Sequence, residues 1–275
     1  MCRMIASLAI VAILVIPALV RADAVLEFSA QGEVKGEGVI QTMSVKDGRI
    51  LVRGSGSSKH LDYLFDRWAQ NLMVIDHRKR TIKMVDEEQV DRLNQQASTV
   101  QPLVQGLADQ VAKLSPEERQ KWQDLLGGSV SLDKIAQAAQ PPPATTLMSA
   151  GQDKEVAGIR CKPMRIMQGT TGMADLCLAD HAAIQIPDSD FATIRALLTF
   201  YERLARRSQR VARQFGVIIP MISVREVTGV PIELRDLSRD DGGSVTLRSI
   251  STTAVLPDII QVPAGYDTEP LTPWQ

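Results

Sequence analysis

The most constraining feature of this chain is the dipeptide Asp47-Gly48, set between two runs in which apolar and polar residues alternate, "GVIQTMSVKDGRILVRG". Alternation at period two is the pattern of strands with one buried face, and Asp-Gly between two such runs is a strong hairpin signal. The same design recurs nearby. Val25 onward, "VLEFSAQGEV", alternates, Leu72 to Ile75 reads as a strand, His77 to Arg80 as a charged turn, and Thr81 to Val85 as a returning strand. Residues 25–85 therefore predict a meander of antiparallel strands, because no helical segment separates them as a parallel sheet would require.

At Asp86 the period changes. Val90, Leu93, Ala97, Val100, Val104, Leu107 and Val111 recur at three and four, which predicts a helix that Pro102 should kink or divide. Ser115, Pro116 and Glu118 have the spacing of a capping box, so a second helix is expected from there to Gly127-Gly128. A third, Leu132 to Ala139, completes a helical excursion over 86–139, and "QPPPATT" follows as a stiff connection. Strand patterns return at Thr146 to Ser149, Ala157 to Met167 and Met173 to Ala179. Asp188 to Phe215 is the strongest helical segment. Phe191, Ile194, Leu198, Tyr201, Leu204, Val211 and Phe215 form an apolar stripe, with acids at the start and arginines toward the end. Val217 to Val224, Ile232 to Leu237 and Ser244 to Val255 are the last expected strands. The order suits an α+β fold: one curved antiparallel sheet with helices on one side, in preference to two α+β domains.

The N-terminus places the chain. A basic start precedes the uncharged run Ile5 to Val20, and "RADA" offers small residues at Ala22 and Ala24. This is the order of a secretory signal peptide over residues 1–24, cut after Ala22 or Ala24, followed by a single domain over 25–275. Removing Arg3, Arg21 and Asp23 from 31 basic and 32 acidic residues leaves 29 against 31, a balance that argues against nucleic-acid binding. Cys2 leaves with the leader, so Cys161 and Cys177 remain. In an oxidising compartment an even pair reads first as a disulfide. Metal binding lacks further ligands, and a redox pair would favour C-x-x-C. The bridge would clasp a hairpin turning at Gly169 to Gly172. If Gly169 faced Gly172, Cys161 would face Asp180, so direct opposition of the cysteines requires an odd loop or a bulge.

No catalytic, cofactor or metal constellation stands out. The three histidines, His60, His77 and His181, form no ligand motif, and Asp76-His77 reads as a solvated turn in preference to a proton relay. No G-x-S-x-G occurs, and "GSGSS" lacks the Gly-Lys of a phosphate loop. Arg195, Arg203, Arg206, Arg207, Arg210 and Arg213 on the long helix read either as an exposed basic face or as a surface for an anionic partner.

The run "GRILVRGSGSSKHLDYLFDRWAQNLMVIDHRKRTIKMVDEE", the Cys161 and Cys177 pair and the ending "LPDIIQVPAGY" resemble an exported bacterial domain-of-unknown-function family similar to the lipoprotein-carrier (LolA/LolB-like) superfamily. The resemblance covers most of the chain after the leader and rests on the order of features, without a catalytic motif. It implies an unclosed half-barrel with helices plugging its concave face, and a cavity for acyl chains. The stripe Phe191, Ile194, Leu198, Tyr201 and Leu204 then becomes a candidate lid, the helix pair before Gly127 an alternative lid, and plain core packing a third role. The expected function is a periplasmic, non-enzymatic binding protein for a lipid or lipoprotein, with at most peripheral membrane contact. The alternative is an envelope protein-interaction or stress-sensing module.

Overall fold

The computed structural model describes residues 23–31, 39–125, 144–214, 222–238 and 242–271. The expected leader up to Ala22, the expected helix Leu132 to Ala139, Gly127-Gly128 and most of "QPPPATT" lie outside them. So do Phe215 and the first part of the strand expected at Val217 to Val224. Its remainder, 222–224, is not a strand.

Six strands open the fold: β1 (Ala24–Gln31), β2 (Val39–Lys46), β3 (Arg49–Arg53), β4 (Leu61–Asp66), β5 (Asn71–Asp76) and β6 (Thr81–Val85). They pair in sequence, each antiparallel to the next. The Asp-Gly signal holds: Lys46 pairs with Arg49, and Asp47 and Gly48 both take positive φ, 48° and 78°. Gly48 is required for a second reason, because a Cβ there would lie 2.4 Å from the Trp68 indole nitrogen.

After the helical segment come β7 (Thr145–Ser149), β8 (Lys154–Val156), β9 (Ile159–Gln168), β10 (Thr171–Ala179), β11 (Val230–Asp236), β12 (Ser244–Ser251) and β13 (Asp267–Glu269). The strand expected from Ala157 starts later, because Ala157 and Gly158 form the turn between β8 and β9 with φ of 51° and 75°. The spatial order is β13-β6-β5-β4-β3-β2-β1-β12-β11-β10-β9-β7, with β8 beside β9. The result is one curved, unclosed sheet in an α+β fold. All of its pairs are antiparallel except β13 with β6, which the sequence pattern did not indicate. Register shifts at Glu27/Phe28, Gly172/Ala174 and Cys177/Leu178 mark bulges, which bend strands and increase their twist.

Four helices are described: α1 (Glu87–Lys113), α2 (Pro116–Leu125), α3 (His181–Ile184) and α4 (Asp188–Gln214). Asp86 caps α1 by accepting from Gln89 N–H at 2.7 Å. Of the kink or division expected at Pro102, the division is absent: helix α1 runs through it from Glu87 to Lys113. The capping box of α2 is present, with Ser115 N–H donating to Glu118 at 2.8 Å and Glu118 N–H to Ser115 Oγ at 3.2 Å.

The main core joins both halves of the sheet to α4. Ala24, Leu26, Val45, Ile50, Phe65, Cys177, Ala179, Val230, Ile232 and Leu247 pack with Ile194 and Phe200. A second cluster takes the alternate residues of β3 to β6, namely Leu51, Leu64, Met73, Ile75 and Ile82. The segment carrying Ile259, Ile260 and Tyr266 covers it. Strands β3 to β5 therefore carry packed apolar residues on both faces, each covered by a different part of the chain.

Candidate functional site

Strand β10 divides its side chains by the period of two. Cys177 and Ala179 enter the main core, while Leu176 and Leu178 join Ile166 and Val227 in a third cluster. Beside this cluster lies a cavity of about 490 Å³. Leu198, Tyr201, Glu202 and Ala205 of α4 form one wall; Ile166, Met173, Ala174, Leu176, Pro231 and Leu234 of the sheet form another. Ile222, Val224 and Val227, between α4 and β11, form the third.

That third wall is held by Arg195. Its guanidinium donates to the backbone carbonyls of Val224 at 2.9 Å and Gly229 at 3.4 Å, and also to that of Val227. Glu202 holds the same wall by accepting from Val224 N–H at 2.8 Å. Burial works against the charge of Glu202, but Arg206 and the Val224 N–H outweigh it and keep the carboxyl below the usual glutamate range. Glu202 and Asp236 are the carboxylates lining the cavity, and no Lys, Arg or His does so among the described residues. Asp236 accepts from Ser238 N–H at 2.8 Å and Ser238 Oγ at 2.7 Å, so it too is engaged within the protein.

The predicted apolar stripe of α4 splits between two environments. Leu198 and Tyr201 line the cavity. Ile194 is buried in the main core, and Leu204 packs against it. Phe191 stacks on His181, with ring centroids 4.3 Å apart at 24°. Phe200, which the stripe omitted, is 1% exposed and is the helix's largest core anchor. A helix contacting two surfaces has a wider apolar arc than one stripe describes, which explains the omission.

The arginines of α4 have internal partners. Arg195 is bound as described. Arg203 binds Glu87 at 2.6 Å and also Gln70. Arg206 binds Glu202 at 2.5 Å, and Arg207 binds Glu87 at 2.5 Å and Asp91 at 2.6 Å. The side chains of Arg210 and Arg213 lie outside the described residues. Glu87 and Asp91 belong to α1, distant in sequence, so charge counted along α4 alone could not reveal this pairing. Of the four described arginines, Arg203 and Arg207 join α4 to α1, Arg195 ties α4 to the segment before β11, and Arg206 pairs within α4 itself.

Cys161 and Cys177 form a disulfide, with Cα atoms 5.5 Å apart. The register differs from direct opposition. Gln168 pairs with Thr171 around a two-residue turn, and Met173 is an extra residue in β10. Cys177 then faces Pro163, and Cys161 is the diagonal neighbour of Cys177. The expected bulge is present, but it carries the cysteines to a diagonal rather than an opposed pair.

His77 lies in an exposed turn, as expected, but its ring has partners within the fold. Its Nδ1 lies 3.0 Å from Tyr266 Oη and its Nε2 2.9 Å from Asp62. The turn thus pins the C-terminal "PAGY" segment, and Asp267 N–H donates to Arg80 O at 3.0 Å beside it. Among the described residues no group of three or more His, Cys, Asp and Glu could hold a metal ion. Among them too, no helix is long and apolar enough to cross a membrane.

No protein-family model matches the chain, and no curated protein does. Among solved structures, PNGF-II crystallised in space group C2 aligns at 8% identity with a TM-score of 0.38, over 90% of this chain and 30% of that one. The Pseudomonas aeruginosa MucA/MucB complex aligns at 12% identity with a TM-score of 0.34, over 88% of this chain and 56% of that one. The chain thus spans between about a third and about half of the length of these chains, and likenesses this slight assign neither a family nor an activity.

Proposed function

We propose that this chain is an exported, non-enzymatic binding protein that holds an apolar chain, such as a lipid or lipoprotein acyl group, in the cavity between α4 and β9 to β11. The observation that carries the reading is the cavity itself: about 490 Å³ and walled mainly by aliphatic side chains. That volume falls within the range of small-molecule sites. Each methylene buried there would contribute about 0.8 kcal/mol. The charged groups on its wall are acidic, so the tail of a lipid, and not a phosphate headgroup, is the part it would hold. The disulfide suits an oxidising compartment, and with the leader-like N-terminus it supports a periplasmic location. A curved, unclosed sheet crossed by an amphipathic helix also agrees with the lipoprotein-carrier resemblance.

The second reading, an envelope protein-interaction or stress-sensing module, draws on Tyr201 and Leu234 at the same cavity, 60% and 39% exposed. An apolar side chain of a partner protein could enter there.

Native mass spectrometry of protein purified from the bacterial envelope separates the two. Carriage predicts a co-purified lipid mass that disappears when Ala205→Phe fills the cavity. A clean apo mass under conditions that preserve lipid complexes would reject carriage and favour the interaction module.

A further inference from the structure

Two bonds at the end of the leader are candidates: Ala24–Val25, with Ala22 and Ala24 at the small positions, and Ala22–Asp23, with Val20 and Ala22 there. The fold treats them differently. Ala24 begins β1, pairs with Val45 and is fully buried. Its backbone N–H donates to Asp190 Oδ2, in the first turn of α4, at 2.9 Å. Asp23 is 3% exposed. Its Oδ2 accepts from Lys46 Nζ at 2.7 Å and from Val255 N–H at 2.7 Å. Through these two residues the start of β1 is tied to β2, to α4 and to the segment after β12. A chain beginning at Val25 would lose the Asp23 partner of Lys46 and Val255 and the Ala24 partner of Asp190. Loss of one partner from a buried polar pair costs more than the pair contributes, because the remaining group stays desolvated.

We infer that export processing cuts between Ala22 and Asp23, so that the processed chain begins at Asp23. The inference rests on the export reading above. Hydrolysis adds water across the bond: Ala22 leaves with a carboxylate, and the Asp23 nitrogen takes up protons to become an ammonium. That positive charge arises on a residue whose own carboxylate already lies in an acidic cluster. Its hydrogen bond to Lys46, with the charges of Asp47 and Asp190, holds the lysine above its ordinary pKa. Burial pushes the Asp190 carboxyl up, and Asp23 and Asp47 add to that push. A cavity of about 430 Å³, lined by Asp23, Asp47, Arg67, Trp68, Ser189 and Asp190, gives room for a hydrated terminus beside three carboxylates and one guanidinium. The cut precedes folding, because pairing of β1 buries Asp23.

The full chain, produced with its own N-terminus in a Gram-negative host and recovered from the envelope, tests this by intact mass and N-terminal sequencing. Asp23 as the first residue is the expected result. A start at Val25, or at any other internal residue, would overturn the inference while leaving export standing. Retention of Met1 would overturn both. As an independent measurement, chains prepared to begin at Asp23 and at Val25 are melted side by side. The shorter chain is expected to melt about 5 °C lower or more; equal melting would overturn the structural ground of the inference.

Discussion

The ring of Phe200, midway along α4, lies 5.3 Å from the ring of Phe65 in β4, tilted by 42°. Both are 1% exposed. This contact seats the helix on the opening meander, while Leu198 and Tyr201 of the same helix turn toward the cavity. Phe200→Ala is expected to cost about 3–5 kcal/mol, the range for truncating a buried aromatic ring. Denaturant unfolding measures it. A loss below about 1 kcal/mol would show that the helix is seated by other contacts.

The arginines of α4 should separate into two kinds. Arg195 donates to three backbone carbonyls of the wall between α4 and β11. Arg195→Ala leaves those acceptors without their donor and should cost about 2–3 kcal/mol, as for hydrogen bonds to a charged group. Arg206 is 56% exposed in its pair with Glu202, and Arg206→Ala should change stability by less than about 1 kcal/mol. Equal losses in the two variants would contradict this division.

Reduction of the Cys161–Cys177 disulfide should destabilise the protein by about 3 kcal/mol, the chain-entropy value for a loop of roughly this length. Unfolding with and without reductant reads the difference directly. The paired variant Cys161→Ser with Cys177→Ser should behave like the reduced protein and lose its sensitivity to reductant.

The contact between α1 and α4 should weaken in acid. The Arg203 hydrogen bond first, aided by Arg207, holds the Glu87 carboxyl below its ordinary value of 4.5. A carboxyl depressed by folding contributes stability above its unfolded pKa and loses it as pH falls through the folded one. The loss therefore begins near pH 4.5 and grows below it. Glu87→Gln should lower stability near neutrality by about 1 kcal/mol, the scale of a partly exposed pair, and should flatten the profile across that acid window. Parallel profiles for the two proteins would exclude Glu87 as the group responsible.

Much of the sheet was legible because its cues are local. Asp47-Gly48 set a hairpin register through backbone conformation alone, and the alternating runs beside it became β2 and β3. Ser115 marked a helix start because a cap acts over three residues, and the change of period at Asp86 marked another. Pro102 misled only in part: of the kink or division it predicted, the division is absent and the helix continues. Ala157 was misleading in the other direction, since a two-residue turn with positive φ carried no Asn or Asp to announce it.

The cavity was only partly legible. Leu198 and Tyr201 stood in the apolar stripe, and the alternation in "MADLCLA" could have marked Leu176 and Leu178 as facing away from Cys177. Ile222 stood in the strand expected at Val217 to Val224, which does not form over 222–224, and Val227 had no signal, because an irregular connection has no periodicity. The role of Arg195 was equally silent: its partners are backbone carbonyls, which no side-chain motif records. For the cysteines, the pairing was readable from their number and context, but the diagonal arrangement depended on where the extra residue of β10 fell.

Local chemistry thus settled the kinds of element, many of their ends and the partnership of the two thiols, since turns, caps and covalent options act over a few residues. Folding alone settled which strands lie at the edges and that β13 runs parallel to β6. It also settled that α4 divides its apolar arc between core and cavity and that two of its arginines, Arg203 and Arg207, meet acids from α1. Those outcomes depend on contacts between residues far apart in sequence, whose free energy exists only once the curved sheet has brought them together.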